Sequence, residues 1–346
     1  MIIPTTKPYF SKTTRSLDIF QKYLTSYNFN HNEMTELLED KTCEFTGSKY
    51  AIAVNSATSG ILIVLIYLQR ILQDGEILIP SYGYPAVYKA CKILGLKPVI
   101  VDVDEKSLTI DLNMAKEKIT DKTLAMFNIE NNGVIGNLRL KREFCSEHNI
   151  YFIEDSASAM VQNYNGKAAG TFGDIGIYSF SPTKVLNSGE GGVIVTDSEE
   201  IYTTLKTIRY SSDFSRSEPL SLNFSMSPFL AAMIIPQFES INFIKSFRRR
   251  IHDSYVSAGL KIFEYDSVSN YYPYAIYQSK SARQISEKLK RLRIGHRYQY
   301  YAVIGEYKVA NKIKTSTIDL PLSHDIKERE IESICNIVRR AENGMV

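Results

Sequence analysis

Ile175-Gly176-Ile177-Tyr178-Ser179-Phe180-Ser181-Pro182-Thr183-Lys184 begins as an apolar run and breaks into hydroxyl residues, a proline and a lysine. A short apolar run closed by such breakers reads as a buried strand, so Ser179 and Lys184 stand just past a strand's carboxyl end. Ser188-Gly189-Glu190-Gly191-Gly192 then supplies a flexible turn, and Val193-Ile194-Val195 is the next run. Towards the amino terminus the same punctuation recurs at Ala51-Ile52-Ala53-Val54, Ile77-Leu78-Ile79, Val99-Ile100-Val101, Leu124-Ala125-Met126-Phe127 and Tyr151-Phe152-Ile153. Between these runs lie Ser59 to Leu72, Ala86 to Leu94, Leu112 to Ile119 and Leu140 to His148, with apolar residues at three- and four-residue spacing. Strands alternating with amphipathic helices predict an α/β fold with a mainly parallel sheet covered on both faces.

At roughly 150 residues per domain, 346 residues predict two domains. From about Ser227 the pattern changes to one long helical stretch, Phe229 to Ile251, closing on Arg248-Arg249-Arg250, where positive charge would meet a helix carboxyl end. Beyond it lie a strand at Tyr274 to Tyr277 and helices at Ser281 to Leu292 and Ile326 to Arg340, a smaller α+β unit. The expected division is a large domain over 1–245 and a small one over 246–346.

Composition narrows the function. Lys and Arg exceed Asp and Glu by 41 to 38, with neither sign gathered into a block, which disfavours nucleic acid as a partner. The apolar run Ile61 to Leu68 stops well short of the roughly 20 residues that span a bilayer. The start, Met1-Ile2-Ile3-Pro4, lacks a secretory pattern, so no membrane contact and a cytoplasmic location are expected. Cys43, Cys91, Cys145 and Cys335 and the histidines are scattered, without metal-ligand spacing.

Three pieces could carry chemistry. Glu154-Asp155 follows a strand, where open α/β sheets place their ligands. Lys184 could be a buried, reactive amine, although a lone lysine is most often solvated. Val54-Asn55-Ser56-Ala57-Thr58-Ser59-Gly60 runs from a strand into a helix start, which reads equally as a Ser/Thr cap or as a phosphate seat made of free backbone N–H groups and hydroxyls. Neither G-x-G-x-x-G nor G-x-x-x-x-G-K-[ST] occurs, so a nicotinamide dinucleotide fingerprint and a P-loop are both missing.

The order of these pieces resembles the DegT family of pyridoxal-phosphate-dependent nucleotide-sugar aminotransferases along nearly the whole chain. The matching motifs are Thr6-Lys7-Pro8, Ser56-Ala57-Thr58-Ser59-Gly60, Pro80-Ser81-Tyr82-Gly83-Tyr84, Val101-Asp102-Val103-Asp104, Glu154-Asp155-Ser156-Ala157, Ser179 to Lys184, Gly189 to Gly192, Asn223-Phe224-Ser225-Met226-Ser227 and Leu320-Pro321-Leu322. The resemblance implies the type I fold of pyridoxal-phosphate enzymes. It implies that Lys184 holds the cofactor and then moves a proton as base and acid, and that Asp155 keeps the pyridine nitrogen protonated. It also implies that Ala57, Thr58, Ser59 and Ser179 hold the phosphate, that Tyr84 stacks on the ring, and that Ser158 faces the ring hydroxyl. Asn223 would reach the phosphate of a neighbouring subunit, making a homodimer with shared sites. The implied reaction moves an amino group, with glutamate as donor, to a nucleotide-linked keto-deoxy sugar, at C4 rather than C3, for surface polysaccharide. Arg297 and Tyr300 are guesses for sugar contacts from their place in the small unit.

The chain departs from the family pattern at Ser158, where glutamine or histidine is usual, at Met160, at Ser181, at Ser225 in place of an arginine, and at Arg293-Ile294-Gly295. These positions bear on substrate and rate. Retention of Lys184 argues against the family's dehydratases, which replace it. Two rivals remain: a glycosyltransferase using Asp102-Val103-Asp104 to hold a metal-bound nucleotide sugar, and a cofactor-binding regulator of the same fold without turnover.

Overall fold

The computed structural model describes residues 3–6, 14–25, 33–211, 221–264 and 273–344; Lys7 and Pro8 of the opening motif lie outside them. Among the described residues, seven strands form the main sheet: β1 (Tyr50–Val54), β2 (Glu76–Pro80), β3 (Lys97–Val101), β4 (Thr123–Ile129), β5 (Tyr151–Asp155), β6 (Ile175–Ser179) and β7 (Gly192–Thr196). Their spatial order is β1-β7-β6-β5-β4-β2-β3. Strands β3, β2, β4, β5 and β6 run parallel, and β7 runs against both of its neighbours. This is the mainly parallel α/β sheet that the alternating pattern predicts.

Both faces are covered, which is why the strands read as unbroken apolar runs. On one face Ile153, Ile177 and Ile194 pack under Ile61, Val64, Leu65 and Leu68 of the helix Ala57–Ile71. On the other, Leu78, Met126 and Phe152 pack under Leu138, Phe144 and Cys145 of the helix Leu138–Glu147. Each fully buried side chain of this size contributes about 1.5–3 kcal/mol. Successive residues of β5 thus serve opposite faces, sending the Asp155 side chain to the side of the first helix and Glu154 to the other.

The long helix expected over Phe229 to Ile251 is broken. Pro228–Ile234 is helical, Ile235–Ser240 tightens into a 3₁₀ turn, and a new helix runs over Ile241–Ser257. Pro236 explains the break, because its ring lacks the N–H and clashes with the carbonyl one turn back. The arginine cluster consequently falls in mid-helix rather than at a carboxyl end. Arg248 is buried and donates to the Pro273 carbonyl at 2.6 Å, so it fastens a neighbouring loop instead of answering a dipole. The helix expected over Leu112 to Ile119 is also shorter, ending at Lys116.

The carboxyl-terminal part has its own antiparallel sheet, β8 (Ala275–Gln278), β10 (Thr317–Leu320) and β9 (Arg297–Tyr298) in that spatial order, covered by helices Ala282–Arg291 and Glu328–Glu342. The division expected between residues 245 and 246 falls inside the helix Ile241–Ser257. Two short ladders tie this part to its surroundings: Ala302–Val303 pairs with Tyr82–Gly83 at the rim of the main sheet, and Ile3 bridges to Ile294.

Candidate active site

A cavity of about 330 Å³ opens at the carboxyl ends of β4, β5 and β6. It receives Ala57, Thr58, Tyr84, Asp155, Ser158, Ser179, Lys184 and Tyr300, eight of the residues singled out from sequence. Ser59, Arg297 and Asn223 do not line it.

The corner beside Ala57 is built by close backbone approach. Gly192 lies beside the start of the first helix, and a Cβ there would sit 2.6 Å from the Ala57 nitrogen, so only glycine lets β7 come this close. The same strand pairing sets Gly192 opposite Ser179. The helix start and the Ser179 hydroxyl therefore meet at one place. Ser56 caps the helix by accepting from the Ser59 N–H at 3.1 Å, and its hydroxyl also meets the Ser59 hydroxyl at 2.9 Å. Ser59 is thus spent on the cap, and the Ala57 and Thr58 end faces the cavity.

Asp155 is buried at the end of β5 and accepts from the Ala157 N–H at 3.2 Å. Burial raises its pKa, and the Lys184 charge opposes the rise. Lys184 projects from the turn after β6 and donates to the Ser158 hydroxyl at 2.8 Å. Burial lowers its pKa, aided by the Arg297 charge, so the amine is biased towards its neutral, nucleophilic form. Tyr84 is 53% exposed at the mouth, leaving an aromatic face available for a flat ligand.

Several residues were missed in the sequence. Tyr274, just ahead of β8, is buried, and its hydroxyl donates to the Thr183 carbonyl at 3.5 Å. Arg297 lies over the Tyr274 ring at 4.1 Å and the Tyr300 ring at 4.7 Å. It pairs with Asp319 at 2.6 Å and donates to Asn132 at 2.8 Å, while Tyr301 donates to the same Asn132 oxygen at 2.9 Å. Arg297 therefore supports the cavity wall from behind. Glu130 lines the cavity and is buried beside Glu154, whose carboxylate accepts from Gly170 and Gly173 N–H groups at 2.8 and 2.6 Å. Burial, and then Glu154, push the Glu130 carboxyl well above its ordinary range. Nearby Lys141, also buried, has its pKa pushed down to about 8.

The D-x-D residues are committed elsewhere. Asp102 accepts from the Ser81 hydroxyl and from the N–H groups of Val103, Val309 and Ala310, capping the helix Lys308–Ser316. Asp104 accepts from the Lys106 and Ser107 N–H groups of its own turn. This removes the support for metal-held nucleotide sugar. Among the described residues, no cluster of histidine, cysteine and carboxylate side chains could hold a metal, and no helix is long and apolar enough to cross a membrane.

A buried carboxylate at a strand end, an amine with a lowered pKa, an anion seat at a helix start and an aromatic face define a type I pyridoxal-phosphate enzyme, and the residues present fit that cofactor. Residues 11–339 match the DegT/DnrJ/EryC1/StrS aminotransferase family, and the chain belongs to it. It is 30% identical over 228 residues to a GDP-perosamine synthase of Vibrio cholerae, covering 64% of this chain and 62% of that protein. It is 25% identical over 322 residues to a UDP-2-acetamido-2-deoxy-3-oxo-D-glucuronate aminotransferase of Pseudomonas aeruginosa, covering 88% and 89%. The match thus spans about six-tenths of the length of the Vibrio relative. Among solved structures, PseC of Helicobacter pylori, an aminotransferase of pseudaminic acid biosynthesis, superposes with a TM-score of 0.88 at 20% identity, covering 99% of this chain and all of that one. That likeness carries the fold.

Proposed function

We propose that the protein transfers an amino group from glutamate to the ketone of a nucleotide-linked deoxy sugar. The observation that carries this reading is the presence of Lys184 and Asp155 in one cavity with the Ala57–Thr58 anion seat. Pyridoxal phosphate supplies, when bound, an electron sink for the carbon that loses its proton. The residues of the chain do the rest. The Ala57 and Thr58 N–H groups and the Ser179 hydroxyl would hold the phosphate, and Tyr84 would cover the ring and exclude water. Asp155 would hold a proton on the pyridine nitrogen, whose positive charge would face the buried carboxylate. The Lys184 amine, once released, would take the proton from the donor carbon and return it one position along.

Two named relatives act on sugars carried by GDP or UDP, one with its oxo group at C3, which supports the substrate class. A 3-dehydratase of Escherichia coli O55:H7 is 32% identical over 194 residues, covering 55% of this chain and 50% of that protein. Lys184 favours amino transfer over dehydration, because the family's dehydratases replace that lysine. The turn Gly189-Glu190-Gly191-Gly192 favours C4 over C3. A cytoplasmic homodimer feeding surface polysaccharide, with the chain organised as 1–245 and 246–346, completes the reading.

Incubation with glutamate and a panel of nucleotide-linked 3-keto and 4-keto deoxy sugars, followed by mass spectrometry, tests it. An amino sugar together with 2-oxoglutarate is expected. Cofactor binding without any 2-oxoglutarate would replace this reading by that of a binding-only regulator.

A further inference from the structure

Lys184 sits on the connection that leaves β6 after Ser179 and enters β7 at Gly192. The ends of this connection are drawn together by the Phe180 N–H, which donates to the Gly191 carbonyl at 2.9 Å, and by the Ser188 N–H, which donates to the Phe180 carbonyl at 3.0 Å. Between them stands Asn187, buried, whose side-chain amide donates to the Lys184 carbonyl at 3.4 Å. The Asn187 backbone is gripped by a residue 50 positions away: its N–H donates to the Gln237 side-chain oxygen at 3.0 Å, and its carbonyl accepts from the Gln237 amide nitrogen at 2.7 Å. Gln237 is buried in the 3₁₀ turn Ile235–Ser240, where Pro236 breaks the helix. Its nitrogen also donates to the Met233 carbonyl at 2.8 Å, which fixes the amide's orientation, because a flipped amide would set N–H against the Asn187 N–H. Val185 and Leu186, between Lys184 and Asn187, belong to the same apolar core as Ile234 and Ile235 beside Gln237.

We propose that Gln237 is a positioning residue for Lys184: its amide clamps the Asn187 backbone through both N–H and carbonyl, and the Asn187 side chain carries that constraint to the Lys184 carbonyl. An amide that takes both backbone groups of one residue fixes its orientation as well as its place, as a paired strand does. The Lys184 amine hangs on four methylenes, so where its backbone stands decides where Nζ reaches. At the tip Nζ meets the Ser158 hydroxyl at 2.8 Å, and at the base the Asn187 and Gln237 pair holds the main chain. Proton transfer is sensitive to such placement, since a displacement of about 1 Å can cost on the order of a hundredfold in rate. The catalytic consequence rests on Lys184 being the cofactor lysine, as proposed above.

The clamp also bears on the state of the amine. Burial has the largest influence on Lys184 and lowers its pKa; Tyr274 and Asp155 oppose this, and Arg297 adds to it. A connection that loosens lets water reach the amine and relieves the burial, which moves the pKa back towards the ordinary lysine range.

The test compares the full-length protein with Gln237→Met, which keeps the length of the side chain and removes both hydrogen-bonding groups. In protein stripped of cofactor, exchange of the Asn187 amide hydrogen, read by mass spectrometry, should quicken by about tenfold, the size of one hydrogen bond. The pH midpoint for acylation of Lys184 by an amine-reactive anhydride should rise by about one pH unit. In the loaded enzyme kcat should fall by about tenfold with KM for glutamate and cofactor affinity unchanged, because Ala57, Thr58 and Ser179 lie outside the clamp. Asn187→Ala leaves the clamp on the backbone and cuts only the tie to the Lys184 carbonyl. It should reproduce the risen midpoint and the lowered kcat, and the double variant should add little, because the two side chains act in series. Asn187→Ala alone carries the test if Gln237→Met does not fold. Unchanged exchange at residue 187, a freed amide with midpoint and kcat unmoved, or strictly additive losses overturn the proposal. Trapping of the cofactor on another lysine overturns the functional reading alone, since exchange and midpoint are measured without cofactor.

Discussion

Arg297 and Asp319 stand opposite each other on β9 and β10 and close a 2.6 Å ion pair that is almost wholly buried, with side-chain exposures of 8% and 4%. Asn132, from the loop after β4, joins both: its amide donates to Asp319 at 3.0 Å and its carbonyl oxygen accepts from Arg297 at 2.8 Å. The pair is the clasp by which the small sheet grips the edge of the cavity. Removing one partner strands a buried charge, so Asp319→Ala should destabilise the fold by about 3–5 kcal/mol. Equilibrium urea unfolding measures this. Replacement of both members by apolar residues should recover most of the loss, and an Asp319→Ala protein of ordinary stability would show that the clasp is idle.

Lys184→Ala should remove the visible absorbance of the bound cofactor while far-ultraviolet circular dichroism stays unchanged. The lysine is half-buried, its amine donates to the Ser158 hydroxyl, and it lies outside the strands. Borohydride reduction of the parent protein, followed by peptide mapping, should place the cofactor on Lys184. Its appearance on any other lysine would refute the assignment.

Asp155→Asn should lose far more turnover than cofactor affinity. The proposed phosphate seat is built on β6, β7 and the helix Ala57–Ile71, so it should survive the change. What would go is the charge proposed to keep the pyridine nitrogen protonated. A charge-assisted hydrogen bond is worth roughly 1.5–3 kcal/mol, hence at least about a tenfold fall in kcat. Near-normal turnover would exclude the role.

The main sheet was legible because strands buried on both faces carry continuous apolar runs, such as Ile77 to Ile79 in β2, Ile175 to Tyr178 in β6 and Val193 to Val195 in β7. That Ala57, Thr58, Asp155 and Lys184 meet in one cavity was legible because each stands at or just past a strand end. Tyr274, Asp319 and Asn132 were not, since they come together through pairing of segments up to 187 residues apart, and each alone looks like an ordinary strand or loop residue. Pro236 was readable and was passed over: an apolar periodicity continued across it, and the break it imposes turned one expected helix into three segments.

Glu130→Gln should flatten the pH dependence of stability. In the unfolded chain the carboxyl ionises near its ordinary 4.5, whereas in the fold burial and Glu154 hold its proton to much higher pH. A raised folded value means that its contribution is complete below 4.5 and is lost as pH rises through the folded value. Glutamine imitates the protonated acid and cannot ionise. The variant should match the parent at acid pH and exceed it at neutral and mildly alkaline pH, with residual dependence from Glu154, whose pKa is also raised by burial. Urea midpoints collected across this range decide the matter, and parallel curves for the two proteins would count against it.

The last prediction concerns assembly. Asn223 is exposed in the single chain and accepts from the Ser225 N–H at 3.2 Å, so by itself it does no more than hold a turn ahead of the helix Pro228–Ile234. The Phe224 carbonyl accepts from the Asn55 N–H at 2.8 Å, which puts this turn beside the strand end that leads into the anion seat, although Asn223 does not line its own cavity. If it serves the phosphate of a neighbouring subunit, each site takes residues from two chains. Lys184→Ala and Asn223→Ala homodimers should then both be severely impaired. Mixed under conditions that exchange subunits, they should regain up to one working site per hybrid, with Lys184 from one chain and Asn223 from the other. A fully active monomer in sedimentation, or proven exchange without recovered activity, would confine Asn223 to its turn.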